Sequence, residues 1–326
     1  MALLDVSHLT MHYTTKMGDV HAVDDVSFKV DVGQALGLVG ESGCGKTSVA
    51  MSLMKLLPDN ARILAGKIVF EGLDLVPLPE DKVRKIRWKG ISMVFQAAMN
   101  SLNPVYRVGD QIIEAIQQHL PLSIEEARAK VANLYTLVGM DPKLMDRYPH
   151  EYSGGMKQRA IIAMALACDP KMIIADEPTT ALDVIVQDRI LHRIDEIRKE
   201  LNMAMMYISH DIAVIAEVSD VIGVMYAGRL VEFADTVTIF KRPVHPYTIA
   251  LMSAFPSIKG EKRPLVHLPG EPPDLLNPPQ GCRFHPRCQY ATTICREQVP
   301  PYQELESGHY VACWNPQREG VADARA

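Results

Sequence analysis

Gly40-Glu41-Ser42-Gly43-Cys44-Gly45-Lys46-Thr47 is the first segment whose residue types and spacing could do chemistry. Its glycines let the backbone curl until successive N–H groups point inward at phosphate oxygens. Lys46 can reach the β- and γ-phosphates of a nucleotide, and the Thr47 hydroxyl, with Ser48 behind it, can hold Mg²⁺. The spacing Gly-x4-Gly-Lys-Thr is that of a phosphate-binding P-loop. Such a loop needs an acidic partner for the metal, and Lys171-Met172-Ile173-Ile174-Ala175-Asp176-Glu177 supplies it. Asp176 is expected to face Mg²⁺, and Glu177 to polarise the attacking water as general base. A third group is made of thiols: Cys282, Cys288, Cys295 and Cys313 fall within 32 residues as Cys-x5-Cys-x6-Cys-x17-Cys. Zinc ribbons prefer pairs two to four residues apart, and no such pair exists here. Widely spaced cysteines on loops suit an iron–sulfur cluster. Zinc, with His285 as a substitute ligand, and unligated or disulfide-forming thiols remain open at this point.

These groups need elements that hold them. Leu36-Gly37-Leu38-Val39 is a short apolar strand running into the phosphate loop, and Thr47 to Leu57 has a helical apolar pattern that stops at Pro58. Met172 to Ala175 predict a buried strand with two carboxylates at its C-terminal end, where open α/β sheets bind ligands. Leu3 to Val6, and Val20 to Val30 with a polar interruption at Asp24-Asp25, predict antiparallel strands. Thirteen of the 22 prolines lie from Pro243 onward. The expectation is an α/β domain to about residue 240 and a loop-rich extension behind it.

The chain has 326 residues, 48% hydrophobic and 22% charged, with a formal net charge of −5. These fractions are those of a globular protein, and the mild acidity argues against a nucleic-acid binder. The longest apolar run, Ala160 to Cys168, has nine residues against the roughly 18–20 of a membrane span. Met1-Ala2-Leu3-Leu4-Asp5 has neither a basic region nor a long apolar stretch, so a cytosolic chain is expected. In that reducing compartment structural disulfides are disfavoured, which leaves the cysteines to be explained.

Between the phosphate loop and the acidic strand stands Tyr152-Ser153-Gly154-Gly155-Met156-Lys157-Gln158-Arg159. Here the chain resembles the ATP-binding cassette (ABC) family, whose signature reads Leu-Ser-Gly-Gly-Gln. Other segments resemble that family's motifs in the same order. Gln96 in Val94-Phe95-Gln96 looks like the Q-loop glutamine, and Thr180-Ala181-Leu182-Asp183 like the D-loop. His210 looks like the switch histidine, and Tyr13, 27 residues before Gly40, like the aromatic that stacks on adenine. The resemblance implies a RecA-like P-loop NTPase core with an antiparallel β subdomain and an α-helical subdomain at about residues 97–160. It implies hydrolysis of ATP with Mg²⁺ held by Thr47, Gln96 and Asp176. It implies Ser153, Gly154, Gly155 and Asp183 acting across a dimer, where the signature of one subunit closes on the nucleotide of the other. The signature departs from the family pattern at Tyr152 and Met156.

Asn100-Ser101-Leu102-Asn103-Pro104, Tyr148 to Tyr152, and Arg242-Pro243-Val244-His245-Pro246-Tyr247-Thr248 resemble the oligopeptide/dipeptide importer subfamily. The resemblance continues to Gly281-Cys282-Arg283-Phe284-His285-Pro286-Arg287-Cys288, so it covers nearly the whole chain. It implies an ATPase subunit at the cytoplasmic face of the inner membrane. The implied partners are a second ATPase subunit, identical or paralogous, two polytopic permease subunits and, indirectly, an extracytoplasmic solute-binding protein. Relatives with this cysteine pattern hold a 4Fe-4S cluster, so the resemblance implies one here on Cys282, Cys288, Cys295 and Cys313. The competing class is a soluble regulatory ABC ATPase that reads redox state through its metal centre without transport.

Overall fold

The computed structural model describes residues 2–96, 98–178, 184–253 and 268–317. In chain order the strands are β1 (Ala2–Thr15), β2 (Gly18–Asp31), β3 (Ala35–Val39), β4 (Ala61–Phe70), β5 (Leu73–Asp74), β6 (Ile91–Val94), β7 (Met172–Asp176), β8 (Ala204–Ile208), β9 (Val221–Tyr226), β10 (Arg229–Asp235), β11 (Tyr302–Glu306) and β12 (His309–Ala312). The α-helices are α1 (Lys46–Leu53), α2 (Glu80–Ile86), α3 (Val108–His119), α4 (Ile124–Leu137), α5 (Gly154–Leu166), α6 (Val184–Glu200), α7 (Ile212–Val218), α8 (Thr236–Lys241), α9 (Pro246–Ser253) and α10 (Thr293–Glu297). The chain divides into two units: residues 31–35 with 77–209, and residues 2–30 with 36–76 and the part that follows 209.

The second of these units carries the phosphate loop. Its antiparallel sheet runs β2-β1-β4-β5. Asp24-Asp25 reads as a break in the sequence, yet β2 continues through it. Asp25 takes a left-handed backbone, φ 56°, as does His8 in β1, φ 54°. The β1–β4 register shifts between Ser7 and Thr10, so an irregularity absorbs the lost alternation and both strands run longer than the pattern suggests. A second ladder in this unit has the order β11-β12-β10-β9-β3. β3 and β9 are parallel, and the other pairs are antiparallel. The proline-rich extension therefore supplies two strands, with Val311 of β12 fully buried beside Val244 and Cys313. All of β3 is buried, as expected for a strand of a parallel pair. α1 ends at Leu53, short of Pro58, because Lys55 adopts φ 48°.

The other unit holds the parallel strands β8-β7-β6, in which all of β7 and β8 are buried. Val94 pairs with Ala175, and Ala175 with Tyr207, so the three strands end on one edge. The helices α3, α4 and α5 form the helical part. α3 buries Val108, Ile112, Ile113 and Ile116, and α4 buries Ala127, Val131, Leu134 and Tyr135. A capping box starts α4: Ser123 Oγ accepts from Glu126 N–H at 3.2 Å, and Glu126 accepts from Ser123 N–H at 2.8 Å.

Candidate nucleotide site and cysteine cavity

The phosphate loop leaves β3 and enters α1 through two close backbone approaches. A Cβ on Gly40 would lie 2.1 Å from the Met225 carbonyl oxygen, and one on Gly45 2.1 Å from that of Ala22. Gly45 also holds φ 105°, which no other residue adopts without strain. Lys46 is buried, and its ammonium donates to the Gly40 and Glu41 carbonyls at 2.7 and 3.1 Å. Ser42, Gly43 and Thr47 stay exposed on the loop. The cradle thus has the shape and the donors for a polyphosphate, with an ammonium that can exchange carbonyls for phosphate oxygens. Cys44 is buried, and burial pushes its thiol pKa up, which keeps it a poor nucleophile. Tyr13 on β1 is half-buried, and its hydroxyl lies 3.1 Å from Ser48 Oγ, so the aromatic ring stands beside α1.

Glu41 is fixed at every polar group. Its N–H donates to the Tyr247 hydroxyl at 3.0 Å, and its carbonyl accepts from Cys44 N–H at 3.2 Å as well as from Lys46. Its carboxylate takes both Nη groups of Arg287 at 2.7 and 3.0 Å. The hydrogen bonds to Glu41 raise the Arg287 pKa. No sequence motif points to this pair, because its members stand 246 residues apart.

In the other unit the parallel edge gathers three of the expected residues. Gln96 follows β6 and is exposed, Asp176 ends β7 and is buried, and Glu177 follows it, half-buried. Glu177 adopts φ 51°, and its N–H donates to the Ile208 carbonyl at 2.9 Å. A non-glycine residue held in that region at a strand end is the kind of strain that clusters at functional sites. His210 follows buried Ser209 after β8 and is itself exposed. The next residue, Asp211, caps α7 by accepting from Ala213 N–H at 3.0 Å. Asp183 lies outside the described residues.

Ser153 caps α5, its Oγ accepting from Met156 N–H at 3.3 Å. Ser153 and Gly154 are exposed at that helix start, where free N–H groups favour an anion. A Cβ on Gly155 would come 3.0 Å from Val186 Cγ1, so the glycine also permits close packing against α6. The unusual Tyr152 has a local reason. Its side chain is buried, its hydroxyl donates to the Leu144 carbonyl at 2.6 Å, and it receives the Tyr135 hydroxyl at 3.0 Å. Burial raises both phenol pKa values.

The four clustered cysteines line one small pocket, together with His245, His285 and Trp314. All six cysteines of the chain are free, so no disulfide staples the extension. Burial pushes Cys282 up to about 11 and Cys313 up to about 12, so without a cation these thiols are neutral. Backbone N–H groups oppose that rise: Phe284 and His285 at Cys282, Tyr290 at Cys288, and Asn315 at Cys313. The Asn315 N–H lies 3.4 Å from Cys313 Sγ. Such N–H···S bonds are the kind that stabilise ligating thiolates. His285 Nδ1 donates to the Cys282 carbonyl at 2.9 Å, which leaves only Nε2 for any ligand role.

Two family patterns match the chain: "ABC transporter" over residues 23–180, and "Oligopeptide/dipeptide transporter, C-terminal region" over residues 231–295. The oligopeptide transport ATP-binding protein OppD of Escherichia coli (strain K12) is 46% identical over 98% of this chain and 94% of its own length. The dipeptide transport ATP-binding protein DppD of Bacillus subtilis (strain 168) is 43% identical over 96% of this chain and 94% of its own. Among solved structures, a dimeric ATP-binding cassette in a post-hydrolysis state with ADP and Pi superposes with a TM-score of 0.65. It is 23% identical and covers 72% of this chain and 98% of its own, a likeness of fold. Both relatives are named as transport ATP-binding proteins. The chain belongs to the ABC transporter family, among the ATP-binding subunits of the oligopeptide/dipeptide type.

Proposed function

We propose that the chain hydrolyses ATP to drive import of peptides, or a related solute, through partner membrane subunits. The observation that carries the reading is the carboxylate pair at the end of β7, with Asp176 buried and Glu177 held at φ 51°. In this reading Asp176, Thr47 and Gln96 hold Mg²⁺, which supplies charge neutralisation at the phosphates. The loop from Gly40 to Ser48 binds the phosphates, Lys46 neutralises charge that develops on them, and Tyr13 stacks on the adenine. Glu177 takes the proton of the attacking water, while Gln96 and His210 sense the γ-phosphate. Ser153, Gly154, Gly155 and Asp183 serve the nucleotide of a second ATPase subunit, identical or paralogous. ATP then closes the dimer, and hydrolysis removes the contacts that hold it closed.

Among the described residues no helix is long and apolar enough to cross a membrane. We assign the chain to the cytoplasmic face of the inner membrane, bound to two polytopic permease subunits that a solute-binding protein feeds. Phe95, next to Gln96, and Val105 and Tyr106 further along the same unit are exposed apolar residues, which supports a docked partner on this unit. Residues 1–240 are read as the nucleotide-binding domain, with its helical subdomain at about 97–160, and residues 241–326 as the extension. For the extension we favour a 4Fe-4S cluster on Cys282, Cys288, Cys295 and Cys313, with zinc as the alternative. The shared cavity and the N–H groups aimed at the sulfurs support a metal centre, and the wide spacing supports the larger cluster.

A Glu177→Gln variant tests the catalytic assignment. It is expected to bind ATP normally and hydrolyse it at least about a hundredfold more slowly, as measured by phosphate release. Unchanged turnover would reject Glu177 as the base.

A further inference from the structure

The segment from Cys282 to Cys288 carries an arginine beside each of these cysteines, and each arginine reaches away from it. Arg283 donates to the Ala227 carbonyl and to the Asp24 carboxylate. Arg287 grips Glu41 through both Nη groups at 2.7 and 3.0 Å, and its Nε donates to the Pro269 carbonyl at 2.8 Å. Its guanidinium also lies 5.7 Å from the Tyr226 ring centroid. Each arginine side chain is only 6% exposed, so neither pair is a loose surface contact. Bidentate, charge-assisted bonds of this kind fix geometry, and opening a buried one strands a charge.

The two arms end at different parts of the nucleotide apparatus. Glu41 lies in the phosphate loop, and its carbonyl accepts from the Lys46 ammonium. Asp24 lies in β2 and also takes His12 Nε2 at 2.7 Å and His21 Nδ1 at 3.1 Å. His12 is the chain neighbour of Tyr13 on β1. A shift of the Cys282–Cys288 segment therefore pulls on the loop that cradles phosphate and on the strand that presents the aromatic ring.

We propose that Arg287, with Arg283 as a second arm, is a positioning residue that ties nucleotide affinity to the ligation state of the four cysteines. A metal centre that orders the cysteine segment holds Glu41, and with it the phosphate loop, in binding shape. Loss of the centre slackens the loop. This rests on the nucleotide-site and metal-centre readings above, and it adds a communication between them.

The test uses the full chain and a fluorescent ADP analogue, with thermal melting and iron, sulfide and zinc content measured on the same samples. Arg287→Met is expected to weaken analogue binding about tenfold. Arg287→Lys, which keeps the charge and loses the fork, should recover part of that loss. Glu41→Gln opens the same pair from the other side and should weaken binding to a similar extent. Stripping the metal with a chelator should weaken the wild type comparably and Arg287→Met hardly further. A lowered melting point with unchanged affinity in Arg287→Met or Glu41→Gln overturns the positioning role. Weakened variants beside a metal-replete wild type whose affinity ignores stripping overturn the link to the cysteines. A wild type without metal, even when purified anaerobically, sinks the metal centre and its link, and the variant comparison still decides the positioning role.

Discussion

Tyr152 shows how one side chain can depart from a motif and still serve it. Its hydroxyl bridges the Leu144 carbonyl and the Tyr135 hydroxyl immediately before the signature serine. Tyr152→Phe deletes the acceptor of one buried group and the donor to another while keeping the ring. A loss of about 1–3 kcal/mol is expected, read from the urea midpoint at unchanged m-value. The phosphate-loop residues were legible because their chemistry is contiguous: eight residues carry the glycines, the ammonium and the hydroxyl together. The Tyr135–Tyr152 contact spans 17 residues and Arg287–Glu41 spans 246, and hydrogen-bond partners at such separations leave no local pattern to read.

At the scale of elements, Asp24 on β2 is the buried carboxylate that ties β1 to β2, through His12. Burial alone would raise the Asp24 pKa, but the His12 hydrogen bond, the Arg283 charge and the His21 hydrogen bond outweigh it and hold the carboxyl below its ordinary range. As pH falls, the unfolded chain then takes up this proton before the folded one does. The contribution of Asp24 is complete above about pH 4 and is lost as pH drops through the folded value. In urea melts from pH 6 down to pH 2.5, Asp24→Asn should start less stable and show a shallower acid limb than the wild type. Equal slopes would remove Asp24 from the acid transition. The sequence treats Asp24-Asp25 as an interruption, because two adjacent carboxylates spoil apolar alternation. The structure keeps the strand by giving Asp25 a left-handed backbone, a change that alternation counts do not register.

At the scale of the molecule, the oligopeptide/dipeptide transporter family was legible from the His-Pro-Tyr segment, while proline density pointed only to a loop-rich C-terminal extension. What the composition concealed is that the extension is woven into a ladder. β12 pairs with β10 through Glu232–Val311 and Phe233–Tyr310, and β10 pairs with β9, which is parallel to β3. Glu232, fully buried on β10, accepts from the Val244 and His245 N–H groups at 2.9 Å each and meets His309 Nε2 at 2.8 Å. Short strands behind a run of prolines carry too few apolar residues to announce themselves, and their partners lie in the preceding domain.

That ladder bears on how the chain can be divided. A protein cut at Lys241 keeps β10 and strips away β12, baring a row of backbone N–H and C=O groups next to Leu230, Val231 and Phe233. It also leaves the Glu232 carboxylate without its donors. An uncovered strand edge is a template for other copies of itself. The shortened chain should therefore come out of refolding as aggregates, and a soluble, monodisperse product by light scattering would contradict this. The covering hairpin acts as a guard against self-association, so shortening the protein to its ATPase motifs removes its solubility before it simplifies its chemistry.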